Sequence, residues 1–358
     1  MNYALLDLYS DYLLSSFSAT TATGLSRLMN NDLSHDQISR MLNSQELAPK
    51  DWWLMIKRQV RAIEDEDGTM TIDDSILEKE YTDENEIVCW HYDHAKGRTV
   101  KGINLITSLY TVGEVSLPVT FRLVAKTEQY TDEKGQRKRR SPVTKNEHYR
   151  DMLQQCVRNR IPFKFVLNDL WFASAENMCF VKLDLHKEFI MALKANRKIA
   201  CSVEQKQQGR YQRLDQLDIP ADTPLVIYLE QVPFPLHLMR QVFTNGDGST
   251  GVRYLVTSDL TLTPDLLATI YQKRWKVEEY HRSLKQNASL DKSPTRTRTT
   301  QTNHFVAALW SFAKLELLKV KMHKNHYLLK TQLYLSALRT AFDTLQQLAP
   351  VRLQPVTA

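Results

Sequence analysis

Apolar and polar positions follow two different periods along this chain, and the change of period divides it. Residues 1 to about 63 place apolar side chains at helical spacing in 3-YALLDLYSDYLL-14, 22-ATGLSRLMN-30, 34-SHDQISRML-42 and 51-DWWLMIKRQVRAI-63. Ser34 is a sound N-cap, and 30-NNDL-33 joins its neighbours as a helix-turn-helix would. Gln37, Ser39 and Arg40 on the second of those helices read either as a DNA-reading surface or as plain packing. The acidic run 64-EDEDG-68 then marks a boundary.

Beyond it the pattern is extended. The β-branched run 69-TMTIDDSIL-77 predicts a strand, and 99-TVKGINLITSLYT-111 with 115-VSLPVTFRLVA-125 predicts a hairpin turning at 112-VGE-114. A basic loop over 130–142 and a helix over about 145–160 follow, then a continuous apolar strand, 163-FKFVLND-169, that stops on an aspartate. A helix near 174–185 and a strand at 188-EFIMALK-194 come next. Residues 195 to about 260 read as irregular strands, expected to form an all-β insertion. Thr263 and Pro264 open the next helix as cap and first residue, and helices around 302–320 and 327–347 close the pattern.

Composition changes this picture only modestly. The chain has 358 residues, 42% of them hydrophobic, enough for two or three cores. No apolar run reaches the roughly 18 residues of a membrane span, and the first residues lack a basic leader, so a cytoplasmic, nucleoid-associated location is expected. Four scattered cysteines offer neither a disulfide framework nor zinc-ligand spacing. His91 and His94 flank Asp93 in an expected hairpin, a poor context for a metal. The net charge of +6 matters less than its distribution. Eight Lys or Arg face three acids between Tyr271 and Thr300, and 134-KGQRKRR-140 adds five more, so polyanions are plausible partners.

Candidate chemistry lies where strands end on acids. Three strands, helix, strand, helix, strand and a late helix match the order of a ribonuclease H-like α/β core. Asp73 or Asp74 ends the first strand, Asp169 ends the fourth, and Glu278 lies on the late helix. Three carboxylates from distant segments suit two Mg²⁺ ions, which take a few hard oxygens and leave positions for phosphate and water. Within 271-YQKRWKVEEYHRSLK-285, read as one α-helix at about 100° per residue, Tyr271, Arg274, Glu278 and Lys285 share a face. Leu266, Ile270, Val277 and Leu284 form its expected core stripe, with Trp275 read as a core anchor in preference to a base-stacking platform. Glu278 also reads more simply as a surface acid paired with Arg274.

The spacing Tyr271-x2-Arg274-x3-Glu278-x6-Lys285 resembles the YREK signature of DDE transposases of the insertion-sequence-four family, and 72-IDDS-75, 167-LND-169 and 194-KANR-197 are similar to blocks around it. The resemblance covers about residues 20–320. It implies a transposase with a catalytic, metal-holding trio of Asp73, Asp169 and Glu278 and two Mg²⁺ ions, for which Mn²⁺ can substitute. Asp73 is preferred to Asp74 because family members carry a hydroxyl residue two positions on, here Ser75. DNA contacts are implied for Tyr271, Arg274 and Lys285, and the implied partners are terminal inverted repeats, target DNA and a second copy in a homodimeric synaptic complex. The resemblance also implies a DNA hairpin with a flipped base on an aromatic residue, often tryptophan, of the insertion; this chain has no tryptophan between Trp171 and Trp275, which leaves Tyr211, Tyr228, Phe234, Phe243 and Tyr254, of which Tyr254, in the last strand before the Glu278 helix, is the candidate. The expected organisation is a helical DNA-binding module over 1–66, the first part of the core over 67–194, the insertion over 195–262, the Glu278 helix over 263–300 and C-terminal helices over 301–358. A resolvase-like endonuclease and a DNA-binding inhibitor of transposition are the competing readings.

Overall fold

The computed structural model describes residues 1–348 apart from 95 and 245. Four helices come first: α1 (Tyr3–Ser15), α2 (Ala22–Leu28), α3 (His35–Leu42) and α4 (Pro49–Ile63). Strands β1 (Thr69–Glu78), β2 (Cys89–Asp93), β3 (Arg98–Val112), β4 (Val115–Leu123), β5 (Glu128–Thr131) and β6 (Arg137–Arg140) precede α5 (Lys145–Arg158). Then come β7 (Phe165–Asn168), α6 (Ala175–Cys179) running into a π-helical turn, and β8 (Glu188–Leu193). Residues 195–262 hold β9 (Lys198–Ile199), α7 (Val203–Gln207), β10 (Gln212–Arg213), β11 (Leu225–Ile227), β12 (Leu236–Thr244) and β13 (Thr250–Thr257). Helices α8 (Pro264–Gln272), α9 (Trp275–Gln286), α10 (Arg298–Met322) and α11 (His326–Leu348) complete the described chain.

The chain forms two compact units. One, residues 46–281, is built on a mixed sheet ordered β11-β12-β13-β8-β7-β1-β3, with β2 and β4 sharing the outer edge of β3. β1 is antiparallel to β3 and parallel to β7, and β7 is parallel to β8. This is the sheet of a ribonuclease H-like α/β core. The long strand β3 is flanked on both sides at Gly102, where an added Cβ would collide with the Leu77 carbonyl of β1. The insertion strands do not stand apart: β13 pairs antiparallel with β8, and β12 and β11 extend the same sheet. α4 belongs to this unit, because Trp52 is fully buried and its indole N–H donates to the Pro118 carbonyl of β4 at 3.0 Å.

The segment expected as a basic loop is instead a ribbon. β5 and β6 pair with each other alone, because 132-DEKG-135 makes a tight turn. The Asp132 carboxylate accepts from the N–H groups of Lys134 and Gln136, and Gly135 takes the φ of +75° that the turn needs.

The other unit joins residues 1–45 to the chain from Arg282 onward. Leu14 of α1, Leu315 of α10 and Leu329 of α11 share a small core there. Ser34 caps α3 with a full capping box, in which the Gln37 side chain accepts from the Ser34 N–H and its own N–H is bonded by the serine hydroxyl. No helix among the described residues is long and apolar enough to cross a membrane.

Candidate active site

Two aspartates come from neighbouring parallel strands of the sheet, one within β1 and one just past β7. Thr69, Met70 and Thr71 of β1 stand opposite Phe165, Val166 and Leu167 of β7. The pairing ends there; Asp73 follows two residues on in β1 and Asp169 lies just past the end of β7, near enough for its carboxylate to act on that of Asp73. Asp74 turns to the other face, where its carboxylate accepts from Asn104 Nδ2 at 2.6 Å and pairs with Lys145 Nζ at 2.8 Å. Asp169 directly follows the carboxyl end of β7, where open α/β sheets bind ligands, whereas β1 runs on to Glu78 and Asp73, expected to end its strand, lies in the middle of it.

Three neighbouring acids act on Asp73. Burial first, then the carboxylates of Asp169, Asp74 and Glu278, push its pKa up to about 8, although the Asp74 N–H donates to it at 2.9 Å. His281 Nε2 stands 3.6 Å from Asp73 Oδ2. Sequence reasoning passed over His281. Its signal was present: it follows Glu278 by three residues on the same helix, which puts both on one side.

The end of β7 is held from both sides. The buried Tyr271 hydroxyl donates to the Asn168 carbonyl at 3.1 Å, and Asn168 Nδ2 donates to the Tyr149 hydroxyl at 2.6 Å. Tyr149 in turn stacks on Phe172 at 5.1 Å. Asp169 Oδ1 accepts from the Trp171 N–H at 2.9 Å, so the turn after the strand fixes one of its oxygens.

The helix expected across 271–285 is two helices. Lys273 and Arg274 form a tight turn between α8 and α9, with N–H groups bonded three residues back to Ile270 and Tyr271. That turn breaks the even 100° progression. Leu267 is buried and Leu266 exposed, so the expected stripe is shifted at its start, while Val277 and Leu284 are buried as expected. Tyr271 falls inside, at 4% exposure, as a support for the strand end and not an exposed DNA contact. Arg274 Nη1 lies 3.4 Å from Glu278 Oε1, and its guanidinium sits 5.8 Å from the ring centroids of Tyr271 and Trp275. Glu278 remains 42% exposed at its side chain.

Other expected positions fall elsewhere. Trp275, read as a core anchor, is 56% exposed, because the turn swings it outward. Tyr254, the candidate stacking platform, is buried in β13 between Arg240 of β12 and Leu193 of β8, and a central sheet position closes its ring to a base. Lys285 stands in the last turn of α9, on the far side of the unit boundary. Arg40 is exposed in the last turn of α3, its Nε donating to the Asp36 carbonyl at 3.3 Å, while Gln37 is engaged in the capping box. His91 is buried in β2, and burial lowers its pKa to about 3.

Among the described residues, no three His, Cys, Asp or Glu side chains close into a metal cage. The donor set at the strand ends is nevertheless hard oxygen, and its mutual repulsion is visible at Asp73. Such a set fits Mg²⁺ or Mn²⁺ and not a soft metal.

The chain matches the family model described as DDE superfamily endonuclease over residues 3–226, well over half its length. That span includes Asp73 and Asp169 and ends before α8. No curated protein matches the chain.

Proposed function

Because the chain belongs to the DDE superfamily of endonucleases, whose activity is metal-dependent DNA cleavage, we infer that it is a transposase of the insertion-sequence-four kind. It cuts and joins DNA at terminal inverted repeats. The observation that carries this reading is the closeness of three acids from distant segments, Asp73 in β1, Asp169 just past the adjacent parallel β7 and Glu278 on α9, the last two near enough to raise the proton affinity of Asp73. Asp74 is committed to Asn104 and Lys145, which supports Asp73 as the first ligand.

Asp73, Asp169 and Glu278 would hold two Mg²⁺ ions, which when bound lower the pKa of an attacking water and stabilise the leaving 3′ oxygen. Arg274, which pairs with Glu278 at 3.4 Å, would bind a phosphate there through its planar fork. Tyr271 keeps the end of β7, and hence Asp169, in position. His281 orients Asp73. Lys285 contributes to backbone binding, and α2 and α3, with Arg40 outward, serve repeat binding.

A homodimer is part of the reading, and α11 supports it. Leu328, Leu335 and Phe342 repeat every seven residues, Leu338 and Leu345 follow the last two by three, and all five are exposed. At roughly 100 Å² apiece, two such stripes would bury about 1,000 Å², the threshold for a specific interface.

The test is cleavage of DNA carrying the element's ends. Glu278→Gln keeps shape and removes the ligating charge, so it is expected to abolish Mg²⁺-dependent nicking and leave gel-shift affinity for the repeat unchanged. Nicking near the wild-type rate by this variant would remove Glu278 from the trio. Junction-specific cutting by the wild type would make the protein a resolvase, and binding without any cutting an inhibitor.

A further inference from the structure

We propose that the β5–β6 ribbon lies in the major groove of duplex DNA and reads it through Arg137 and Arg139; this rests on the nuclease reading above. The two faces of the ribbon differ in a way that points to one side. Residues directly opposite in an antiparallel pair share a face, so Arg140 and Lys138 lie with Glu128 and Tyr130, whereas Arg137 and Arg139 lie with Thr131 and Gln129.

The first face is internally balanced. Arg140 Nε is 2.8 Å from Glu128 and its guanidinium lies 5.7 Å from the Tyr130 ring centroid, while Lys138 Nζ is 2.6 Å from Asp132. On the second face Arg139 has only Glu84 at 3.6 Å, and among the described residues no carboxylate lies within ion-pairing distance of the exposed Arg137.

The ribbon also buries almost nothing. Seven of its eight strand residues are exposed, and neither strand pairs with the main sheet. A two-stranded hairpin of this kind is marginally stable in water and gains its order from what it meets. A protein partner would need an apolar centre, and the Arg137 face has none. Duplex DNA supplies the dense negative charge that five cations against three acids over residues 128–140 favour. Its major groove admits a two-stranded ribbon, and Arg and Gln are the side chains that bond guanine and adenine edges there. The ribbon is rooted beside the site: the short segment after it leads into α5, whose first residue, Lys145, holds Asp74.

The experiment measures binding of a fluorescent mixed-sequence duplex in EDTA, with wild type, Arg137→Ala/Arg139→Ala and Lys138→Ala/Arg140→Ala. Loss of the Arg137 face is expected to weaken binding at least about tenfold, since one bidentate base contact is worth about 1–3 kcal/mol. It should also erase the interference that guanine N7 methylation causes with the wild type. Loss of the balanced face should change affinity by less than about threefold, as for internally paired surface charges. Arg137, Lys138 and Arg140 are solvated and Arg139 is half-buried beside Glu84, so circular dichroism and thermal melting check that the fold survives. Equal affinity and the same interference pattern in wild type and Arg137→Ala/Arg139→Ala would overturn the proposal, as would equal losses from both faces. A wild type that binds this duplex yet nicks neither it nor the element's own ends with Mg²⁺ would sink the nuclease reading and leave the ribbon a simple DNA clamp.

Discussion

Asp73 and Asp74 are neighbours with opposite fates, because a strand turns successive side chains to opposite faces. Asp74 is neutralised by Lys145 and bonded by Asn104, whereas Asp73 meets Asp169 and Glu278. Asp73→Asn is therefore expected to abolish nicking without loss of fold, while Asp74→Asn leaves some activity and lowers the melting temperature; a dead but fully stable Asp74→Asn would reverse the assignment. The same crowding sets a pH dependence. In the unfolded chain Asp73 ionises near 3.8, and in the metal-free fold only near about 8. Below the lower value both states carry the proton and its contribution to stability is fully present. As pH rises between the two values the unfolded chain releases the proton and the folded chain keeps it, so stability falls by up to a few kcal/mol until pH passes the folded value. Urea unfolding in chelator at pH 5 and pH 8 checks this: the wild type should lose more stability than Asp73→Asn, and equal losses would refute the cause.

At the scale of elements, the joint between α8 and α9 decides which side chains reach the site. Its two-residue turn sends Tyr271 inward to the Asn168 carbonyl and leaves Arg274 with Glu278. Tyr271→Phe removes one buried hydrogen bond, worth about 0.5–1.5 kcal/mol. The expected outcome is a melting temperature lower by a few degrees and slower nicking at unchanged DNA affinity. A wild-type nicking rate at the lower melting temperature would show that the bond holds the fold and does not tune Asp169. The caps Ser34 and Thr263 were legible as sequence signals because capping is local. The turn at Lys273–Arg274 was not. Neither residue is Gly or Pro, and the helical pattern runs through it; packing of Leu267 and Tyr271 against Leu167, Ile190 and Leu255 selects the bend.

For the whole molecule, the α11 stripe predicts self-association. Leu338→Lys puts a charge in the middle of the seam and is expected to convert a dimer to a monomer in sedimentation velocity, with nicking of a single end retained; a wild-type monomer at high concentration without DNA would confine dimerisation to the synaptic complex. The sequence by itself determined the helices and strands of the core, the order of the acids along it and the match of Glu278 to a signature, because periodicity, capping and residue type act over a few neighbours. Only the tertiary structure decided that Asp169 and Glu278 come close to Asp73, that the insertion strands β11–β13 continue the main sheet, that α4 packs on β4 while α1 joins α10, and that Tyr254 is closed off and Trp275 open. Those choices depend on pairings between residues far apart in the chain. A strand's own pattern gives which face is apolar, and not which neighbour will cover it.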